Sequence, residues 1–131
     1  MTRDARDYLG HVRDACDRVA SYTQEMTKQV FLATPMVQDA VIRQMEIIGE
    51  AGKKALDNPG QLDLTTVKND LTRAYGLRNF LIHGYFGVDA MTVWVSAKKQ
   101  IPRLRSAVAA ILGASQEAPE EAAVTGVVTR G

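Results

Sequence analysis

Apolar residues recur at helical spacing along most of this chain, and this pattern constrains the fold more than any other feature. Between residues 90 and 111 the steps are four and three residues without a break, through Ala90, Trp94, Ala97, Ile101, Leu104, Val108 and Ile111. Such a period places all of these side chains on one seam of a helix. The strand-forming residues of Thr92–Val95 lie inside this seam, and the longer pattern outweighs them. Pro102 is expected to kink the helix.

Three further segments show the same three- and four-residue steps. The first helix is predicted from residue 2 to about 26, with Ala5, Tyr8, Leu9, Val12, Ala15, Cys16, Val19 and Tyr22 on its apolar face. Thr34-Pro35 starts the second, which is predicted to run to about Leu56. The third is predicted from about Leu64 to Ile82, with Gly76 as its weakest point.

These four segments predict an all-α protein, an antiparallel bundle of about four main helices in residues 1–113. The whole chain has 131 residues, 46% of them hydrophobic and 24% charged, which suits one globular domain. Residues 114–131 are small, acidic and irregular in pattern, and are predicted to form a disordered, flexible tail. A helical bundle by itself does not indicate a function.

Composition and motif content argue against several kinds of site. A single cysteine cannot form an intramolecular disulfide, and two histidines with one cysteine make a protein-built zinc site improbable. No glycine-rich phosphate loop follows a strand, so we expect no cofactor and no metal. No apolar run approaches the length of a membrane span, and the charged N-terminus lacks a secretory signal. We therefore expect a cytoplasmic protein without a membrane partner.

Two further candidates have plain explanations. Glu46 and Glu50 are one helical turn apart, but carboxylate metal sites in bundles use Glu-x-x-His steps that this chain lacks. We expect them to form a solvated or arginine-paired edge. His11 flanks the apolar face of the first helix and is expected to be a partly buried or surface histidine.

Residues 78–85 bring Arg78, Asn79, His83 and Tyr85 together within eight positions. On a helix Asn79 lies one turn from His83, so its amide is placed to orient the imidazole. A histidine can take the proton of an RNA 2′-hydroxyl, and an arginine can hold the charge that develops on the attacked phosphate. The alternative is a capped helix end, with an arginine–carboxylate pair and a satisfied histidine.

The wider sequence around this segment resembles a known family. Arg78 to Tyr85 read R-x-x-x-x-H-x-Y, with Phe86-Gly87-Val88-Asp89 and Trp94 after them. Residues 38–51 stand upstream and contain Glu46-Ile47-Ile48-Gly49-Glu50. Together these features closely resemble the HepT-like branch of the HEPN domain family, also known as domain of unknown function 86. The resemblance covers roughly residues 5–112.

The resemblance implies a function, partners and site residues. HepT-like proteins are metal-independent endoribonucleases and the toxins of two-gene toxin–antitoxin modules. They are homodimers in which two arginine–histidine motifs face one cleft, and an MntA-like nucleotidyltransferase silences them by transferring AMP to the motif tyrosine. By this resemblance Arg78 and His83 are catalytic, Asn79 supports them, Tyr85 accepts AMP and RNA is the substrate. The alternative is a non-catalytic helical adaptor or nucleotide-binding subunit that partners a nucleotidyltransferase.

The charge of the chain is compatible with RNA. The whole chain has 16 basic and 15 acidic residues, a net charge of +1. Without residues 114–131, which hold one basic and three acidic residues, the charge is +3 per chain and +6 per dimer. Lys98, Lys99, Arg103 and Arg105 form a cluster without an intervening acid. They are candidates for an RNA-binding groove near Arg78, with one exposed helix face as the plain alternative.

Overall fold

The predicted all-α architecture is confirmed. A computed structural model describes residues 4–84 and 89–120, with side chains described to residue 114. In this part of the chain there is no β-strand, and the elements are α1 (Ala5–Thr23), α2 (Lys28–Leu32), α3 (Pro35–Asp57), a 3₁₀ turn (Thr65–Val67), α4 (Lys68–His83), α5 (Ala90–Val95), a π-helical turn (Ser96–Gln100) and α6 (Ile101–Glu120). None of the described helices is both long enough and apolar enough to cross a membrane.

The long helix α3 packs against both α1 and α4. The start of α1 lies beside the loop that follows α3, at Pro59–Leu62, so these two helices are antiparallel. Gly49 of α3 faces Ala74 of α4, whereas Gly52 faces Leu71, so α4 is also antiparallel to α3. Helix α3 is therefore the central helix of the bundle, and its two neighbours form walls on either side of it.

Helix α6 packs against α1. Arg105 binds Asp17 at 2.9 Å, and Lys98 donates a hydrogen bond to the Thr23 carbonyl oxygen at 3.2 Å. These contacts run in opposite directions along the two helices, so α6 is antiparallel to α1. The bundle is thereby completed by a segment that is distant in sequence from its partner.

The predicted apolar faces form the core. The side chains with less than 2% exposure include Leu9, Val12, Val19, Val41, Met45, Ile48, Leu71, Leu104 and Val108. At its two ends the buried face of the last helical segment differs from the predicted seam. Val93 and Leu112 are buried there, whereas the predicted Ala90, Trp94 and Ile111 are only partly buried. A helix with 3.6 residues per turn drifts away from a strict seven-residue repeat, which shifts the buried face at both ends.

The region around Pro102 shows how the last helix accommodates proline. A π-helical turn, Ser96–Gln100, comes just before Pro102, a feature that the spacing did not predict. Proline has no N–H and its ring crowds the carbonyl four residues earlier, so a wider turn relieves both conflicts. Helix α6 then continues to Glu120, so the predicted start of the tail at residue 114 falls within the helix. Residues 121–131 lie outside the described residues.

Cys16 lies in the core, as predicted from its place on the apolar face of α1. Burial raises the pKa of its thiol from 9.0 to about 12, with a further contribution from the Asp17 carboxylate. A thiol with so high a pKa stays protonated near neutral pH and is a poor nucleophile. Cys16 is thus a packing residue.

Candidate active site

Arg78 lies on the face of α4 that packs against α3, and its guanidinium is held from several sides. Its Nη2 atom is 3.2 Å from Glu50 Oε1 on α3, and its Nη1 atom donates a hydrogen bond to Asn79 Oδ1 at 2.8 Å. The Tyr75 ring lies 5.6 Å from the guanidinium carbon. The arginine–carboxylate pair of the plain alternative is therefore present. These contacts also fix the orientation of the guanidinium. A fixed orientation favours phosphate binding, because the planar guanidinium donates its hydrogen bonds in set directions.

Gly49 allows α4 to approach α3 closely at Arg78. A Cβ atom added at Gly49 would collide with the Arg78 Cβ atom and would lie 2.8 Å from the Ala74 carbonyl oxygen. Only a residue without a side chain fits there without a shift of the helices. Gly49 and Glu50 therefore act together: Gly49 leaves space for the Arg78 side chain, and Glu50 forms an ion pair with it.

His83 is the last residue of α4, and its side chain is exposed. The helix ends with a hydrogen bond from the Gly84 N–H to the Phe80 carbonyl oxygen at 3.0 Å. Among the described residues His83 has no hydrogen-bond or ion-pair partner. The Asn79 amide oxygen accepts from Arg78, and no hydrogen bond joins Asn79 to His83 among the described residues, so the predicted role of Asn79 in orienting His83 stays a prediction.

A cleft of about 510 Å³ opens beside Arg78. Its floor is α3, through residues that include Ile47 and Ala51, and its walls are α1 and α4. Tyr8 and His11 line it from α1, and Arg78 and Ile82 line it from α4. His83 is not among the described residues that line this cleft. Arg78 and Ile82 therefore face the cleft from α4, and His83 follows Ile82 at the exposed end of that helix.

The two glutamates of α3 are paired with cations along the floor of the cleft. Glu46 lies 3.5 Å from Arg43, and Glu50 lies 3.8 Å from Lys54 in addition to its pair with Arg78. The predicted arginine-paired edge is confirmed. In the part of the chain that the structure describes, no three His, Cys, Asp or Glu side chains are grouped as metal ligands.

His11 is exposed, as one of the two environments we expected for it, but its position in the cleft was not predicted. Its ring meets the Tyr8 ring edge to face, with centroids 6.4 Å apart and planes at 85°. His11 and Arg78 line the same cleft because α1 and α4 pack on the two sides of α3. The apolar spacing along α1 predicts which face of that helix is buried, but it does not predict which residues of another helix lie near His11.

Comparison with known proteins identifies the family of this chain. A family model described as ribonuclease HepT-like matches residues 12–111. The chain belongs to the HepT-like ribonuclease family. The match spans α1 to α6 and includes Arg78, His83 and the cleft floor. No solved structure matches the chain.

The match to individual relatives spans most of the length of each of them. A protein of Thermococcus cleftensis named "Probable ribonuclease HepT" is 36% identical over 105 residues, which is 80% of this chain and 93% of that protein. A "Putative RNase" of Methanocaldococcus jannaschii is 35% identical over 79% of this chain and 86% of its own length. Another, from Caldanaerobacter subterraneus, is 33% identical over 82% of this chain and 93% of its own length.

The four basic residues predicted to line an RNA groove are separated in this HepT-like protein. Lys98 binds the C-terminal end of α1, Arg103 binds Asp70 of α4 at 3.0 Å, and Arg105 binds Asp17 of α1. Among the described residues none of the four, Lys99 included, lines the cleft beside Arg78. The cluster seen in sequence is thus divided, with Lys98 and Arg105 directed toward α1 and Arg103 toward α4. Tyr85, the predicted AMP acceptor, lies outside the described residues.

Proposed function

We propose that this chain is an endoribonuclease that cuts RNA with Arg78 and His83. The observation that carries the proposal is the Arg78 guanidinium, which Glu50 and Asn79 hold at the edge of an open cleft, together with the exposed His83 five residues later on the same helix. Membership of the HepT-like family and the ribonuclease names of its relatives support the same activity.

The chemistry needs one base, one acid and one anion-binding group. A histidine takes the proton of the RNA 2′-hydroxyl, and that oxygen forms a bond to the adjacent phosphorus. The bond from phosphorus to the 5′-oxygen breaks, and the leaving oxygen takes a proton from an acid. Arg78 stabilises the negative charge on the non-bridging oxygens as the reaction proceeds. The products carry a 2′,3′-cyclic phosphate and a 5′-hydroxyl.

We expect the purified protein to cut total RNA in the presence of EDTA, because this route uses a histidine and an arginine where other nucleases use a metal ion. The measurement is gel analysis of the fragments, with chemical identification of their ends. A requirement for added Mg²⁺, or fragments with 5′-phosphates, would contradict the mechanism. Failure to cut RNA under any condition would favour the non-catalytic adaptor instead.

We also propose that the active form is a homodimer. Five residues along a helix turn the direction of the side chain by about 140°, so Arg78 and His83 of one chain leave α4 on different faces. A second chain would supply a further histidine and arginine, and so an acid as well as a base. Phe80 and Ile82, 49% and 39% exposed beside His83, are suitable apolar contacts for that chain.

The family resemblance supports a regulated role. We propose that the protein is the toxin of a toxin–antitoxin module, acting in the cytoplasm, with an MntA-like nucleotidyltransferase as its partner. The Tyr85 oxygen would attack the α-phosphorus of ATP and release diphosphate, leaving AMP on the toxin. This bulky anion, seven residues from Arg78, would repel RNA and compete for the guanidinium.

Replacing Tyr85 with phenylalanine is expected to leave RNA cleavage intact and to abolish the effect of the partner, because only the acceptor oxygen is removed. The measurement is cleavage and intact mass after incubation with the nucleotidyltransferase and ATP. Tyr22→Phe, which removes an exposed hydroxyl on α1, is the matched control and should still gain one AMP group. A Tyr85→Phe protein that is still modified and silenced would show that another residue is the acceptor.

A further inference from the structure

We propose that the cleft between α1 and α4 is a binding subsite for one nucleotide of single-stranded RNA, in which the His11 ring stacks on the base and Arg43 binds a neighbouring phosphate. This inference rests on the proposed ribonuclease function and specifies where the substrate is held. It assigns roles to two residues outside the Arg78–His83 motif.

The aromatic wall of the cleft is suited to a nucleobase. His11 is exposed on α1, so one face of its imidazole is available to a ligand. Tyr8 packs partly against the core and meets the His11 ring edge to face at 6.4 Å, which restricts the orientation of that ring. Proteins that read single-stranded RNA commonly stack unpaired bases on aromatic side chains, histidine included.

The charges of the cleft are suited to a phosphate. Arg43, Lys54 and Arg78 line it with two glutamates, which leaves one net positive charge if His11 is neutral. The Arg43 side chain is 69% exposed and contacts Glu46 only at 3.5 Å, so its guanidinium is free to turn toward an anion. Arg78 is held more closely, by contacts at 3.2 Å and 2.8 Å. Arg43 is therefore the adaptable cation of the cleft and Arg78 the fixed one.

The size and position of the cleft agree with this role. About 510 Å³ falls within the range of about 300–1,000 Å³ that is typical of small-molecule sites. Ile47 and Ala51 give the floor an apolar surface on which the edge of a base can rest. Because Arg78 forms one wall, a nucleotide in the cleft lies next to the place where Arg78 would hold the phosphate that is cut.

The test is the binding of fluorescein-labelled 2′-O-methyl hexaadenylate and hexauridylate, which lack the attacking hydroxyl, measured by fluorescence anisotropy. His11→Ala is expected to raise the Kd for hexaadenylate by about 10-fold, the usual effect of losing one stacking contact. His11→Phe is expected to restore binding, because it keeps a ring without the titratable nitrogens. The preference for adenine over uracil should shrink in His11→Ala, since the larger base stacks more strongly.

One control variant and one further variant of the site separate stacking from charge and from general surface effects. Tyr22→Ala removes an exposed aromatic ring at the other end of α1 and should leave the Kd unchanged. Arg43→Gln is expected to lower the slope of log Kd against log salt by about 1, the change expected for losing one phosphate contact.

Three results would overturn the subsite. One is equal oligonucleotide binding by His11→Ala and the wild type. Another is a loss of binding in His11→Phe as large as in His11→Ala. The third is an altered oligomeric state of His11→Ala by light scattering, which would make the cleft an interface between chains. Cleavage of unmodified RNA by the wild type is measured beside these experiments, so that failure of the subsite is distinguished from failure of the ribonuclease function.

Discussion

Replacing Arg78 or His83 with alanine is expected to lower RNA cleavage by at least about 100-fold, because each removes a group that acts in the transition state. The bundle should stay folded, since the His83 side chain is exposed and Lys54 remains near Glu50 after Arg78 is removed. The measurement is initial cleavage rate, with circular dichroism melting as the test of folding.

Arg73→Ala is the matched control for Arg78→Ala, because Arg73 is an exposed arginine on the same helix. It lies 3.6 Å from Asp70, which keeps its closer pair with Arg103 at 3.0 Å. This control should cleave RNA at the wild-type rate. Full activity in Arg78→Ala or in His83→Ala would refute the catalytic assignment.

Mixing the two inactive proteins tests whether a site is shared between chains. A mixed dimer of Arg78→Ala and His83→Ala still holds one intact arginine and one intact histidine. If the motifs of two chains face one site, the mixture should recover part of the activity, because one arginine and one histidine then meet while the second histidine is still missing. A mixture that remains inactive after subunit exchange would indicate that the site needs both histidines or a complete motif in one chain.

Replacing Gly49 with alanine is expected to have the second large effect. The new Cβ would meet the Arg78 Cβ and the Ala74 carbonyl oxygen, so α4 has to move away from α3. Overpacking of this kind costs about 1–3 kcal/mol, only part of which the better helix propensity of alanine offsets. Displacement of Arg78 should also lower cleavage by about 100-fold, since catalysis depends on its position.

Gly76→Ala is the control for the change in helix propensity. Gly76 is on α4 as well, and a Cβ added there meets no atom within 4 Å, so this variant should be slightly more stable than the wild type and equally active. Urea unfolding and cleavage rates measure both properties. Wild-type stability and activity in Gly49→Ala would show that the helices adjust easily at this contact.

Most of the fold was predictable because apolar spacing records which face of each helix is buried. The faces that contain Leu9 and Leu104 were identified in this way and lie in the core. The spacing did not reveal the π-helical turn before Pro102 or the exact ends of the last seam. Those features depend on how a helix deforms to keep its hydrogen bonds and its packing around a proline.

The sequence by itself determined the helical bundle, its apolar faces and the motif residues Arg78 and His83. Only the tertiary structure decided that Glu50 holds Arg78, that Gly49 allows this contact, and that His11 lies in the adjoining cleft. It also showed that the basic residues between 98 and 105 do not act as one group, since Lys98 and Arg105 bind α1 whereas Arg103 binds α4. Local periodicity specifies which face a side chain occupies, whereas contacts between helices depend on how those faces pack in three dimensions.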